Sequence, residues 1–75
     1  MSDEILDTRG LKCPLPVLKA EKRLRAMGVG EVLTVLADDP MAPLDLEHMA
    51  QQAGHTFLEC AQEEAHFAAR LQKGP

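Results

Sequence analysis

Cys13 stands in the run Gly10-Leu11-Lys12-Cys13-Pro14-Leu15-Pro16, directly ahead of a stretch with helical periodicity. A thiol becomes nucleophilic as its thiolate, and three features of this setting favour that form. A helix starting near Pro16 presents unpaired backbone N–H groups and the positive end of its dipole beside the sulfur. Lys12, with Arg9 farther back, adds positive charge. Pro14 and Pro16 stiffen the backbone, push Cys13 towards an extended conformation and are tolerated at a helix start. The expected chemistry is that of a reactive thiol at a rigid strand-to-helix corner. The plainer alternative is a small buried hydrophobe, the common fate of an unpaired cysteine.

No other residue offers a partner for hydrolytic chemistry. His48, His55 and His66 all lie far along the chain from Cys13 and carry no local dyad pattern. They also lack zinc-ligand spacing, and two distant cysteines do not complete a set, so no metal is expected, and exchange chemistry at a thiol needs no organic cofactor. Cys60 falls on an alternating segment with Leu58 on the same side and reads as structural. A resolving role would need its Cα within ~7 Å of that of Cys13.

Charge is distributed unevenly. Six of the eight Lys and Arg residues fall between Arg9 and Arg25, where Glu21 is the sole acid, although the net charge is −4. Lys19, Lys22, Arg23 and Arg25 are therefore candidates for a docking surface that steers an acidic partner, against the plainer reading of a solvated helix face. Asp39 in Ala37-Asp38-Asp39-Pro40 is a second candidate contact, with helix capping by Asp38 or Asp39 as the alternative.

The elements that must position these residues follow from periodicity. Ile5 to Thr8 reads as a short strand ended by Arg9-Gly10, and Val17, Ala20, Leu24 and Met27 recur at helical spacing from Pro16 to a stop at Gly28. Glu31 to Ala37 is nearly continuously apolar, as suits an inner strand. Leu46, Met49, Ala50 and Ala53 form the apolar stripe of a second helix, with Pro43 near its start and Gly54 at its end. Thr56 to Ala61 and Phe67 to Leu71 read as strands joined by a turn at Gln62-Glu63-Glu64. The order β-α-β-α-β-β implies a two-layer α/β sandwich with one layer of helices over one sheet.

Seventy-five residues form one small domain, residues 1–75, with room for a single core. With no Trp or Tyr and two Phe, that core must come from Leu, Val, Ala and Met. Met1-Ser2-Asp3-Glu4 has no basic, apolar leader pattern, no run approaches the ~18 residues of a membrane span, and two cysteines make no disulfide framework. A cytoplasmic monomer with no membrane association is expected.

The motif residues carry a resemblance. Leu6-Asp7, then Gly10-Leu11 and Cys13-Pro14-Leu15-Pro16, then Gly30-Glu31-Val32-Leu33, Ala37-Asp38-Asp39-Pro40, Asp45-Leu46 and Gly54-His55 resemble, in order, the TusA/SirA/YedF family of small sulfur carriers. A lone Cys-Pro-x-Pro is a weak pattern. Its place after a short strand, with Ala-Asp-Asp-Pro after the next, is specific. The resemblance implies a SirA-like fold similar to the C-terminal domain of a translation initiation factor: four mixed strands in the order 1-2-4-3, the last antiparallel to the others, with two helices on one face.

It also implies a function. The matched cysteine, Cys13, supported by Lys12, Pro14 and Pro16, would accept sulfane sulfur as a persulfide from a cysteine desulfurase or rhodanese. It would pass that sulfur to a downstream acceptor in tRNA thiolation, molybdenum-cofactor assembly or other sulfur metabolism, acting as a sulfurtransferase. In the family the exposed side of the first helix takes part in partner recognition, which favours Arg25, and the acid matching Asp39 can contact a partner. The alternatives are an RNA-binding or regulatory module using the basic helix, and a redox switch using Cys13 and Cys60. Net acidity and two aromatics argue against a general nucleic-acid groove.

Overall fold

The computed structural model describes residues 3–75; the expectation for Met1 and Ser2 lies outside the described residues. Six elements follow one another: β1 (Asp3–Asp7), α1 (Leu15–Arg25), β2 (Val32–Ala37), α2 (Ala42–Ala53), β3 (Thr56–Gln62) and β4 (Phe67–Gln72). They form one four-stranded sheet in the order β1-β2-β4-β3. β1 runs parallel to β2, and β4 runs antiparallel to both β2 and β3. β2 and β3 are thus parallel with β4 inserted between them, so each helix crosses from the end of one parallel strand to the start of the next. Both helices consequently begin at the same edge of the sheet, where β1 and β2 end. This is the edge at which α/β folds gather ligands and reactive groups.

The core is aliphatic, as the composition requires. Ala20 and Leu24 from α1, Leu46 and Ala50 from α2, Leu33 and Val35 from β2, and Ala69 and Leu71 from β4 pack together and are almost wholly buried. Their spacing explains why each segment took its form: the helical positions fall on one stripe, and the strand positions alternate. Leu6, Val17 and Phe57 complete the packing from the periphery.

Helix ends follow the anticipated chemistry with small shifts. α1 starts with proline in its first turn and ends at Arg25, earlier than the apolar spacing predicts, although Met27 still packs into the core. Gly54 closes α2 in the left-handed region at φ 84°, which glycine adopts without strain, and its N–H bonds Ala50 O. At the far end of α1, Lys73 Nζ donates to Leu24 O at 2.8 Å and anchors the C-terminal segment.

β3 departs from the expected alternation. Phe57 pairs with Leu71 and Glu59 with Arg70, so Leu58 is an extra residue in a bulge. Beyond it the strand switches faces. Cys60 then lies opposite Ala69, on the face it shares with Phe57 rather than with Leu58, and it is exposed at the sheet edge. The expectation that Cys60 shares a side of the strand with Leu58 is corrected accordingly: a bulge shifts the register by one residue, and nothing in the local composition marks where.

Candidate functional site at Cys13

Cys13 lies in the loop between β1 and α1, and two sets of hydrogen bonds fasten this loop to the end of β2. Thr8, completely buried, donates from its backbone N at 2.7 Å and from Oγ1 at 2.6 Å to Leu36 O. Farther along, Gly10 N donates to both oxygens of Asp38, at 2.9 and 3.1 Å. Gly10 has φ 88°, which lets the chain turn there. Cys13 N then donates to Asp39 Oδ2 at 2.7 Å, while Met41 N donates to the other oxygen at 2.9 Å. The paired acids of Ala37-Asp38-Asp39-Pro40 therefore hold the cysteine loop. The Cys13–Pro14 peptide bond is cis.

Asp39 is turned inward, with 8% of its surface exposed. Both its oxygens are occupied by backbone N–H groups, Met41 first and Cys13 second, and these hold its carboxyl below the ordinary carboxylate value. In this arrangement its carboxylate positions Cys13 and the entry to α2. The capping alternative lay closer to what the geometry shows.

The thiol itself is exposed. Its Sγ donates to Asp45 Oδ2 at 3.0 Å. That hydrogen bond raises the Cys13 pKa above the ordinary thiol value, with partial desolvation next and the charges of Asp45 and Asp39 adding to the effect. The sequence leads to the opposite expectation, a thiolate favoured by the helix start and by nearby cations. A full negative charge in contact with the sulfur outweighs the roughly half charge of a helix end. Arg9 does not help, because its guanidinium grips Asp7 through two bonds of 2.9 and 2.8 Å and holds that carboxyl down at about 2.

Asp45 is the residue in contact with the sulfur, and the sequence reading named it only as part of the Asp45-Leu46 match. It stands in the first turn of α2, where an acid is favoured by the helix dipole. The signal was the topology: in a β-α-β-α order with parallel helices, the first turns of both helices meet at one sheet edge. A groove of about 620 Å³ opens from this point between the helices. Cys13 and Pro14 close one end, Val17 and Glu21 form the α1 wall, and Asp45, His48 and Met49 form the α2 wall.

The remaining expected site residues are dispersed. Lys12 is exposed beside Cys13, and Pro16 is buried in the first turn of α1. Lys19, Lys22 and Arg23 line a separate cavity of about 300 Å³ on the other flank of α1, together with Leu6 and Ala26. Arg23 is bound to Glu4 at 2.6 Å. Arg25 is exposed at the last position of α1, about 15 Å along the axis from the cysteine end. The basic residues thus run away from Cys13 along α1 rather than surround it.

Comparison with known proteins decides the family. The sequence profile described as sulfurtransferase TusA matches residues 4–73. The chain belongs to the TusA family. It is 42% identical over 71 residues to sulfur carrier protein TusA of Allochromatium vinosum, covering 95% of this chain and 93% of that one. It is 47% identical over 72 residues to a protein of Neisseria meningitidis serogroup A named "Putative sulfur carrier protein NMA0882", covering 96% of this chain and 97% of that one. The crystal structure of a SirA-like protein from Desulfitobacterium hafniense superimposes with a TM-score of 0.84 at 30% identity, covering 96% of this chain and 99% of that chain. The SirA-like fold and strand order that the resemblance implies are those observed, and the Allochromatium relative in this TusA family is named a sulfur carrier. No helix among the described residues is long and apolar enough to cross a membrane.

Proposed function

We propose that the protein carries sulfane sulfur as a persulfide on Cys13 and acts as a sulfurtransferase relay. In the loading step Cys13 Sγ, having lost its proton, attacks the terminal sulfur of a persulfide on a donor protein. The Cys13 sulfur–sulfur bond forms as the donor's breaks, and the donor sulfur leaves with the electron pair and takes up a proton. One persulfide and one thiol give one thiol and one persulfide, so no external oxidant or reductant is needed. Unloading is the same exchange with an acceptor as nucleophile and Cys13 as leaving group.

The observation that carries this reading is the pairing of an exposed thiol with a backbone N–H fixed by Asp39, at one end of a groove, in a chain of the TusA family. The groove leaves room for a partner's chain beside the sulfur, and the bond to Asp39 fixes the backbone at the cysteine. The donor proposed is a cysteine desulfurase or rhodanese, and the acceptor belongs to tRNA thiolation, molybdenum-cofactor assembly or another sulfur pathway. Lys19 and Lys22, which line the cavity on the flank of α1 away from the groove, fit a supporting contact with an acidic partner surface. The RNA-binding alternative draws no support from the groove, whose lining residues among those described include no Lys or Arg.

The test is incubation with a cysteine desulfurase and cysteine, followed by peptide mass spectrometry. One added sulfur on the Cys13 peptide, removed by reductant and lost in Cys13→Ala, is the result expected. An adduct of undiminished yield in Cys13→Ala would overturn the assignment.

A further inference from the structure

The charge around the thiol is the reverse of the one the sequence leads one to expect. Two carboxylates border the groove, Glu21 from α1 and Asp45 from α2, with His48 as the third titratable side chain of the lining. Asp39 approaches from the loop before α2, and Lys12 adjoins the cysteine in the chain. The other cations of the basic run are engaged or directed elsewhere. Arg9 is held by Asp7, Arg23 by Glu4, and Lys19 and Lys22 line the cavity on the opposite flank of α1. Asp45 is half-buried and borders the open groove, so a group entering there reaches its carboxylate as it reaches the sulfur.

This arrangement discriminates among partners. An anionic group beside a partner's sulfur would meet the Asp45 carboxylate at close range, in a groove that Glu21 also lines. A cationic group would pair with Asp45, draw the carboxylate away from the Sγ–H and lower the free energy of the thiolate. We propose that Asp45 determines the specificity of sulfur exchange at Cys13: its carboxylate holds the thiol until a partner brings a Lys or Arg next to its own sulfur into the groove. The inference rests on the reading of Cys13 as the exchanging thiol.

The test uses the full chain with Cys60→Ala, so that Cys13 alone reports, and three methanethiosulfonates with the same reacting group and different charge: 2-aminoethyl, methyl and 2-sulfonatoethyl. In each reaction Cys13 sulfur forms a disulfide with the sulfenyl sulfur, methanesulfinate leaves with the electron pair of the broken sulfur–sulfur bond, and the thiol proton passes to solvent. Cys13 is oxidised and the reagent reduced. Rates are divided by those of a small neutral thiol to remove intrinsic differences. The expected order is cation, neutral, anion, with steps of about fivefold at low salt, the effect of one unit charge at ~4 Å in water. The steps should flatten near 1 M salt, where the screening length falls to about 3 Å.

Asp45→Asn keeps the shape and an acceptor oxygen but removes the charge, and should bring the ratios towards one. Asp45→Glu returns the charge and should recover the preference for the cation, a rescue that a purely structural role for Asp45 would not give. A flat or anion-favouring order in the parent chain, or an Asn variant that keeps the parent ratios, would overturn the proposal. Persulfide loading, measured by mass spectrometry on the same proteins, reports separately on the carrier reading: loading without charge preference removes the role of Asp45 alone, and charge preference without loading removes the carrier function.

Discussion

Thr8→Val separates the ties that hold the cysteine loop. The Thr8 side chain is completely buried and its hydroxyl donates to Leu36 O at 2.6 Å, a carbonyl that also receives Thr8 N–H at 2.7 Å. Valine keeps the volume and the backbone bond, so Leu36 O is not orphaned. The loss is one neutral hydrogen bond, about 0.5–1.5 kcal/mol, rather than the larger penalty of a stranded buried group. A chain of 75 residues has a stability of roughly 4–11 kcal/mol, so the variant should fold. At about 4–8 °C per kcal/mol the midpoint should fall by about 5 °C. Circular dichroism melts of both proteins measure it. Alkylation of Cys13 should be unchanged, because Asp39 and not Thr8 holds its N–H. An unchanged or raised midpoint would refute the assignment of stability to the hydroxyl, and altered alkylation would show that the loop ties act as one unit.

Three further outcomes follow from the same geometry. Arg9→Ala should leave the pH profile of Cys13 alkylation in place, since the guanidinium is committed to Asp7; a marked shift would restore Arg9 as an activator of the thiol. Asp39→Asn must turn an NH2 towards either Cys13 N or Met41 N, so hydrogen exchange at one of these amides should accelerate, and unchanged protection at both would count against the tie. His55 accepts a hydrogen bond from Gly74 N at 2.9 Å, and desolvation, then Lys73, lower its pKa from 6.5. The fold therefore favours the neutral imidazole. Its contribution is present above pH 6.5 and lost as pH falls through the lower folded value. Denaturation midpoints of His55→Gln and the parent should converge at the low end of that window; parallel curves would exclude the linkage.

Much of the fold was legible because its segments obey simple periods. Leu24 and Leu46 sit on clean helical stripes, β2 is a nearly continuous apolar run that lies as an inner strand between β1 and β4, and Gly54 marks the end of α2. The bulge at Leu58 was not legible, since an extra residue in an edge strand leaves no compositional mark. At the site, Cys13 was visible through its neighbours in the chain. What surrounds it in space was not. Arg9, which precedes it in sequence, pairs with Asp7, and the cations that follow it spread along α1, Arg23 pairing with Glu4, whereas the acids that adjoin it come from Asp39 and Asp45, more than two dozen residues away. Local sequence reports local charge, and the potential at a sulfur depends on which chain ends the sheet brings together.

The central claim is that Cys13 carries transferable sulfur, and the most direct measurement follows one sulfur atom through it. Protein loaded with isotopically labelled sulfur by a cysteine desulfurase, freed of donor, is presented to an acceptor thiol and both are read by mass spectrometry. The account predicts label on the Cys13 peptide first, then its loss from that peptide in step with its gain by the acceptor, and neither event in Cys13→Ala. Label on the acceptor at the same rate in the presence of Cys13→Ala would contradict it.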